Sequence, residues 1–180
     1  LTHHHADHVG GVVDLVRRTG ARVYAHPDSR LPFPIDVPLH EGDVVDTGAG
    51  TLRLAGSNSY QGASRLTAGV VEVASDNAFG TSGVVALSGA ALKSTNAVGS
   101  SANHQLANPL SIDSTMSVVG DGDLTFTGTA TLTGSREIRL LDPDQVTTFV
   151  QGIGEGLFVG SGLNKTGRGV LNLAGPSTFT

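Results

Sequence analysis

The spacing of apolar positions changes character once along this 180-residue chain, near residue 46. Before that point Val9, Val12, Val13 and Val16 fall at i, i+3, i+4 and i+7, which predicts a helix with one apolar face. Asp7 is placed to cap it near His8, Arg17 and Arg18 suit its last turn, and Gly20 supplies a stop. Ala21–Ala25 reads as a short strand. Pro27, Pro32, Pro34 and Pro38 break up the segment after it, and Glu41-Gly42-Asp43 forms a turn into Val44-Val45. Beyond residue 46 the helical spacing gives way to short period-two runs separated by Gly, Asn or Asp. Leu66–Val73 reads as one strand region, with Val71 and Val73 flanking polar Glu72, and Val84–Leu87 as another. Asp123–Thr133 alternates over much of its length, as a half-buried strand does.

An internal repeat marks the border. Thr47–Tyr60 (TGAGTLRLAGSNSY) aligns with Thr166–Phe179 (TGRGVLNLAGPSTF), with seven of fourteen positions identical and an aromatic residue closing both copies. Self-similarity of this kind predicts a repeat architecture. Leu52, Leu54, Leu124, Phe126, Leu171 and Leu173 occupy alternate positions and should point inward, with Arg53 and Asn172 outward. The fold boundary is expected between Val44 and Leu52.

Composition narrows the function classes. The chain has 25 glycines, only 4% aromatic residues, 15% charged residues and a net charge of −5. It has no basic run, so nucleic acid is not expected as a partner. The absence of cysteine excludes disulfides and thiolate metal sites. No apolar run reaches the roughly 18 residues of a membrane-spanning helix. The first residue falls inside a motif and the last inside a repeat, so the sequence reads as part of a larger protein.

The motif at the start carries the chemistry. Thr2-His3-His4-His5-Ala6-Asp7-His8-Val9-Gly10-Gly11 sets His3, His5, Asp7 and His8 within six positions, and imidazole and carboxylate are good zinc ligands. The stretch resembles the metal-binding motif of the metallo-β-lactamase superfamily, in its glyoxalase II-like form, over residues 1–46. That resemblance implies that His3 and His5 hold one zinc and Asp7 and His8 a second. Asp7 would orient the metal-bound water that attacks a thioester, but only if the site is completed. The family draws three more ligands from later strands, and no later segment matches them. His26, His40 and His104 read as solvated loop histidines. The zinc site is therefore expected to be incomplete, and no hydrolase activity is expected of the chain by itself.

Residues 47–180 resemble a different family. Gly48-x-Gly50-x-Leu52-x-Leu54 followed by Asn58-x-Tyr60, together with Asn108-Pro109-Leu110, Leu124–Gly128 and Leu163–Gly167, is similar to the autotransporter-associated β-strand repeat. The resemblance implies a right-handed parallel β-helix, with rungs of roughly 20–25 residues stacked on one another. The fold class is thus mainly β, a solenoid preceded by a short α/β fragment. The implied role is a non-catalytic passenger scaffold, displayed at the bacterial outer membrane or secreted, adhesive toward a cell-surface or host ligand. Open rungs at the ends would favour end-to-end self-association. The rival reading is a zinc-dependent thioester hydrolase, cytoplasmic, completed by segments outside this chain. A natural fusion and an artificial chimera would carry the same letters. The carboxylate pairs Asp121/Asp123 and Asp142/Asp144 are read as turn residues.

Overall fold

The computed structural model describes residues 9–25, 27–28, 30–38, 50–81, 83–94, 103–157 and 160–179. The chain divides into two compact units, Leu1–Asp43 and Val44–Thr180.

In the first unit, helix α1 spans Val12–Thr19. Val9 is itself helical, but Gly10 and Gly11 form a turn, and Gly11, in the left-handed region at φ 87°, sets the N-cap of α1 without a side-chain bond. Asp7, the expected cap, lies outside the described residues. Gly20, at φ 69°, ends the helix as expected, donating its N–H to the Val16 carbonyl at 2.8 Å. Val12 and Val16 are half-buried, but Val13 is exposed, so the apolar face is narrower than its spacing implies. Strand β1 (Tyr24–Ala25) pairs in parallel with β2 (Val37–Pro38). The prolines were expected to exclude regular structure here. Pro38 is tolerated because it closes a two-residue strand whose one partner among the described residues is β1. Asp36 reinforces the pair: its carboxylate accepts the Val23 N–H at 2.7 Å, and its own N–H donates to the Val23 carbonyl at 2.9 Å. The Glu41–Asp43 turn lies outside the described residues.

The second unit is a β-solenoid of about five turns. The first coil carries β3 (Thr51–Leu54) and β4 (Ser64–Leu66), and the second β5 (Val70–Val73) and β6 (Val85–Leu87). Three-strand coils follow: β7 (Ala91–Ser94), β8 (His104–Leu106) and β9 (Leu110–Ile112), then β10 (Met116–Val119), β11 (Leu124–Phe126) and β12 (Ala130–Leu132). Next come β13 (Arg136–Leu140), β14 (Val146–Phe149) and β15 (Ile153–Glu155), and β16 (Leu163–Thr166) and β17 (Val170–Leu173) lie on top. All strand pairs among the described residues are parallel. They build a six-stranded sheet (β16-β13-β10-β7-β5-β3), a five-stranded sheet (β15-β12-β9-β6-β4) and a four-stranded sheet (β17-β14-β11-β8). The rung length varies: 19 residues separate Thr51 from its partner Val70, 21 separate Val70 from Ala91, and 27 separate Arg136 from Leu163.

Alternation decides what each strand buries. Leu106, Phe126, Phe149 and Leu173 stand in register up one inner wall, with the Phe126 and Phe149 rings stacked at 4.9 Å. Leu66, Leu87, Ile112 and Leu132 form a second column, and Leu52, Val71, Leu92, Val118 and Leu140 a third. Burying each such side chain contributes about 1.5–3 kcal/mol. The inward register expected for Leu124 and Phe126 holds, both being fully buried. Leu52, Leu54, Leu171 and Leu173 pack against the same core and are half-buried. Arg53 and Asn172 point out to solvent.

Two expected strands are each two strands. The Leu66–Val73 region splits into β4 and β5 at Gly69, whose φ is 74°. The Asp123–Thr133 run splits into β11 and β12, on different sheets, at Thr127–Thr129. Gly128 occupies that corner because a Cβ there would lie 2.4 Å from the Asn108 carbonyl oxygen of the preceding coil. Among the described residues the first two coils carry no strand on the third side. There the Asn58 side-chain amide donates to the Ala78 carbonyl at 2.7 Å, and Asn108 Nδ2 donates to the Phe79 and Gly83 carbonyls at 3.0 and 3.1 Å. The two copies of the internal repeat also occupy different walls: Thr51–Leu54 lies in the six-stranded sheet and Val170–Leu173 in the four-stranded one.

Candidate functional site

The four metal ligands read from the motif, His3, His5, Asp7 and His8, lie outside the described residues, as do His26 and His40. Among the described residues no group of three or more His, Asp and Glu side chains is arranged to hold a metal ion. His104 corrects its expected loop placement. It opens β8, with its side chain only 16% exposed, and Nδ1 lies 3.3 Å from Asp76 Oδ1. The same carboxylate oxygen accepts the Gln105 N–H at 3.1 Å, so Asp76 ties the second coil to the third.

The carboxylate pairs serve turns and corners. Asp142 Oδ1 accepts the Asp144 N–H at 3.1 Å, across a two-residue turn. Asp123 Oδ1 accepts the Val146 N–H of the next coil at 2.8 Å.

What the solenoid presents to a partner is its outer face. On the six-stranded sheet Arg53, Glu72 and Lys93 stack in register. Arg53 Nε donates to Glu72 Oε1 at 3.1 Å, and Lys93 Nζ lies 3.6 Å from Glu72 Oε2. The carboxylate sits between two cations on adjacent rungs, which offsets repulsion along the stack. Higher on this sheet Glu137 accepts the Thr166 hydroxyl at 2.5 Å and Arg139 Nη2 at 3.0 Å. The Thr166 hydrogen bond first, then Arg139, hold its carboxyl below the ordinary value of 4.5. Sequence reasoning missed both groups. The signal was available, since aligning rungs on their inward Leu and Val residues brings Arg53, Glu72 and Lys93 together.

Two shallow depressions mark the outer surface. One, of about 350 Å³, is lined by Ser135, Arg136, Glu137, Gly162, Leu163 and Asn164. Within it Ser135 Oγ accepts the Gly162 N–H at 3.0 Å, and Arg136 Nη2 donates to the Thr133 carbonyl at 2.9 Å. The other, of about 270 Å³, is lined by Thr129, Ala130, Thr131, Gln151, Gly152, Gly154 and Pro176. There Gln151 Nε2 donates to the Thr127 carbonyl at 2.7 Å. These side chains brace coils against each other.

Comparison with known proteins separates the two resemblances. Part of the chain is similar to hydroxyacylglutathione hydrolases. The match is 57% identical over 51 residues with the enzyme of Cereibacter sphaeroides strain ATCC 17029, covering 27% of this chain and 20% of that protein. It is 53% identical over 51 residues with that of Jannaschia sp. strain CCS1, covering 27% and 20%. With that of Rhodopseudomonas palustris strain BisB18 it is 45% identical over 49 residues, covering 27% and 19%. The chain thus spans about a fifth of the length of these curated relatives. No solved structure matches the chain. Residues 44–73 and 118–152 match the family model described as Passenger-associated-transport-repeat. Both stretches fall in the unit that forms the parallel β-solenoid.

Proposed function

We propose that the chain acts as a non-catalytic passenger scaffold, displayed on the outer membrane surface or released from it, with its polar outer faces adhering to a host or cell-surface ligand. One observation carries this reading: the stretches that match the passenger-type repeat model lie within a parallel β-solenoid. A solenoid buries its apolar residues rung by rung and leaves long outer faces for contact. No described helix is long and apolar enough to cross a membrane. The test is to join the chain to an outer-membrane translocator in a Gram-negative host and add protease to intact cells. Surface-exposed, protease-accessible solenoid supports the reading. Retention inside the cell, while a control passenger on the same translocator is exposed, overturns it.

A second reading rests on the hydrolase matches and the motif at residues 3–8. In it His3, His5, Asp7 and His8 are half of a zinc site completed by segments outside this chain, and the reaction is thioester hydrolysis. Bound-metal stoichiometry of the purified chain separates the two. Tightly held zinc, together with thioester turnover that Asp7→Asn abolishes, favours the hydrolase. Zinc at background level and no turnover favour the scaffold.

A further inference from the structure

Gln145 and Thr147 are the polar exceptions on the inner wall of β14. Both residues are 0% exposed. Thr147 stands in register between Leu124 below and Leu171 above, so its hydroxyl is flanked by leucines. Gln145 lies just before the strand, two residues from Thr147 and on the same inward side. The backbone around them is satisfied. The Gln145 carbonyl accepts the Val170 N–H at 2.9 Å, and the Val146 N–H donates to Asp123 at 2.8 Å. The side chains are not: Gln145 Oε1, Gln145 Nε2 and Thr147 Oγ1 are all buried without a protein partner.

Three orphaned polar atoms on two neighbouring inward side chains do not arise from alternation alone. A buried polar group without a partner is costly, and native cores satisfy such groups with protein atoms or ordered water. We propose that Gln145 and Thr147 bind an internal water molecule within the solenoid core. A single water accepts from Nε2 and donates to Oε1 and Oγ1. That gives the three hydrogen bonds typical of a buried water. A metal cation does not suit the site, because Nε2 is a donor and neither side chain is charged; a hard cation takes oxygen ligands. The bound water gives β14 a directional contact between the apolar rungs of Leu124 and Leu171. It fixes this coil by hydrogen bonding where dispersion alone leaves neighbouring registers similar.

The test uses the full 180-residue chain with its glutamine side chains labelled with nitrogen-15. Water-selective cross-relaxation is recorded on the four glutamine NH2 groups, at Gln61, Gln105, Gln145 and Gln151. The expected result is a direct cross-peak between the Gln145 NH2 and water, with the sign of a long-lived water. The exposed Gln61, Gln105 and Gln151 should show only fast exchange or short-lived contacts. Thr147→Val should weaken the Gln145 cross-peak several-fold, while Thr147→Ser, which keeps the hydroxyl, should preserve it. A Gln145 NH2 with no water cross-peak in the unsubstituted chain overturns the proposal, and that measurement needs no variant to fold. A cross-peak unchanged in Thr147→Val overturns the part assigned to Thr147.

Discussion

Glu137 shows how one side chain joins rungs. Its carboxylate accepts from Thr166 of the next coil and from Arg139 beside it. Hydrogen bonds to the charged form lower its pKa below 4.5. The stability this group contributes is therefore fully present above its unfolded value and is lost as pH falls through the folded value. Glu137→Gln should be less stable than the natural chain at neutral pH. The gap should close as the solution is acidified below the ordinary carboxylate range, measured by denaturant unfolding at a series of pH values. A gap that stays constant down to pH 3, or widens there, contradicts the assignment. The group was invisible in the sequence. Arg139 is two residues away, but Thr166 is 29 residues distant, and that pairing exists only once the rung lengths are known.

At the scale of the strand, alternation was legible and extent was not. Leu124-Thr125-Phe126 and Leu171-Asn172-Leu173 read correctly as inward–outward–inward, since period two is a local property of extended chain. The breaks inside Leu66–Val73 and Asp123–Thr133 are not local. Gly128 sits where the previous coil leaves no room for a side chain, a contact 20 residues away in sequence. The wall each repeat copy occupies is likewise set by stacking, so identical letters end on different sheets. Position in the stack also grades the cost of a cavity. Leu124→Ala, covered by coils on both sides, should cost about 2–5 kcal/mol. Leu171→Ala, half-buried in the last coil, should cost roughly half as much, because less apolar area is lost. Urea unfolding of the two variants makes the comparison. Equal losses would mean that the terminal coil is covered as fully as the central one.

For the molecule as a whole, the solenoid class was legible because the Gly, Ser and Thr-rich composition extends over most of the chain and the repeat recurs at both ends of that stretch. The chemistry of the first unit was legible only as a motif: His3, His5, Asp7 and His8 fall outside the described residues, and nothing in the solenoid's pattern bears on them. The same contrast in pattern supports treating the two parts as independent folds. Within the first unit α1 buries none of its residues fully, and β1 pairs with β2 over two residues only. The solenoid closes a continuous core from Leu66 to Ile153. Stability in such a pair should be unequal, and proteolysis reads it. Arg30 is exposed between the prolines at 27 and 32, and Arg139 lies on the outer face of β13, paired in parallel with strands on both sides. Brief trypsin treatment should cut at Arg30 well before Arg139 and leave a resistant fragment carrying the whole solenoid. Fragment masses over a time course decide it. Cleavage at Arg139 as fast as at Arg30 would show that the solenoid is no more robust than the segment before it. Protection of Arg30 equal to that of the solenoid would show that the two units unfold as one.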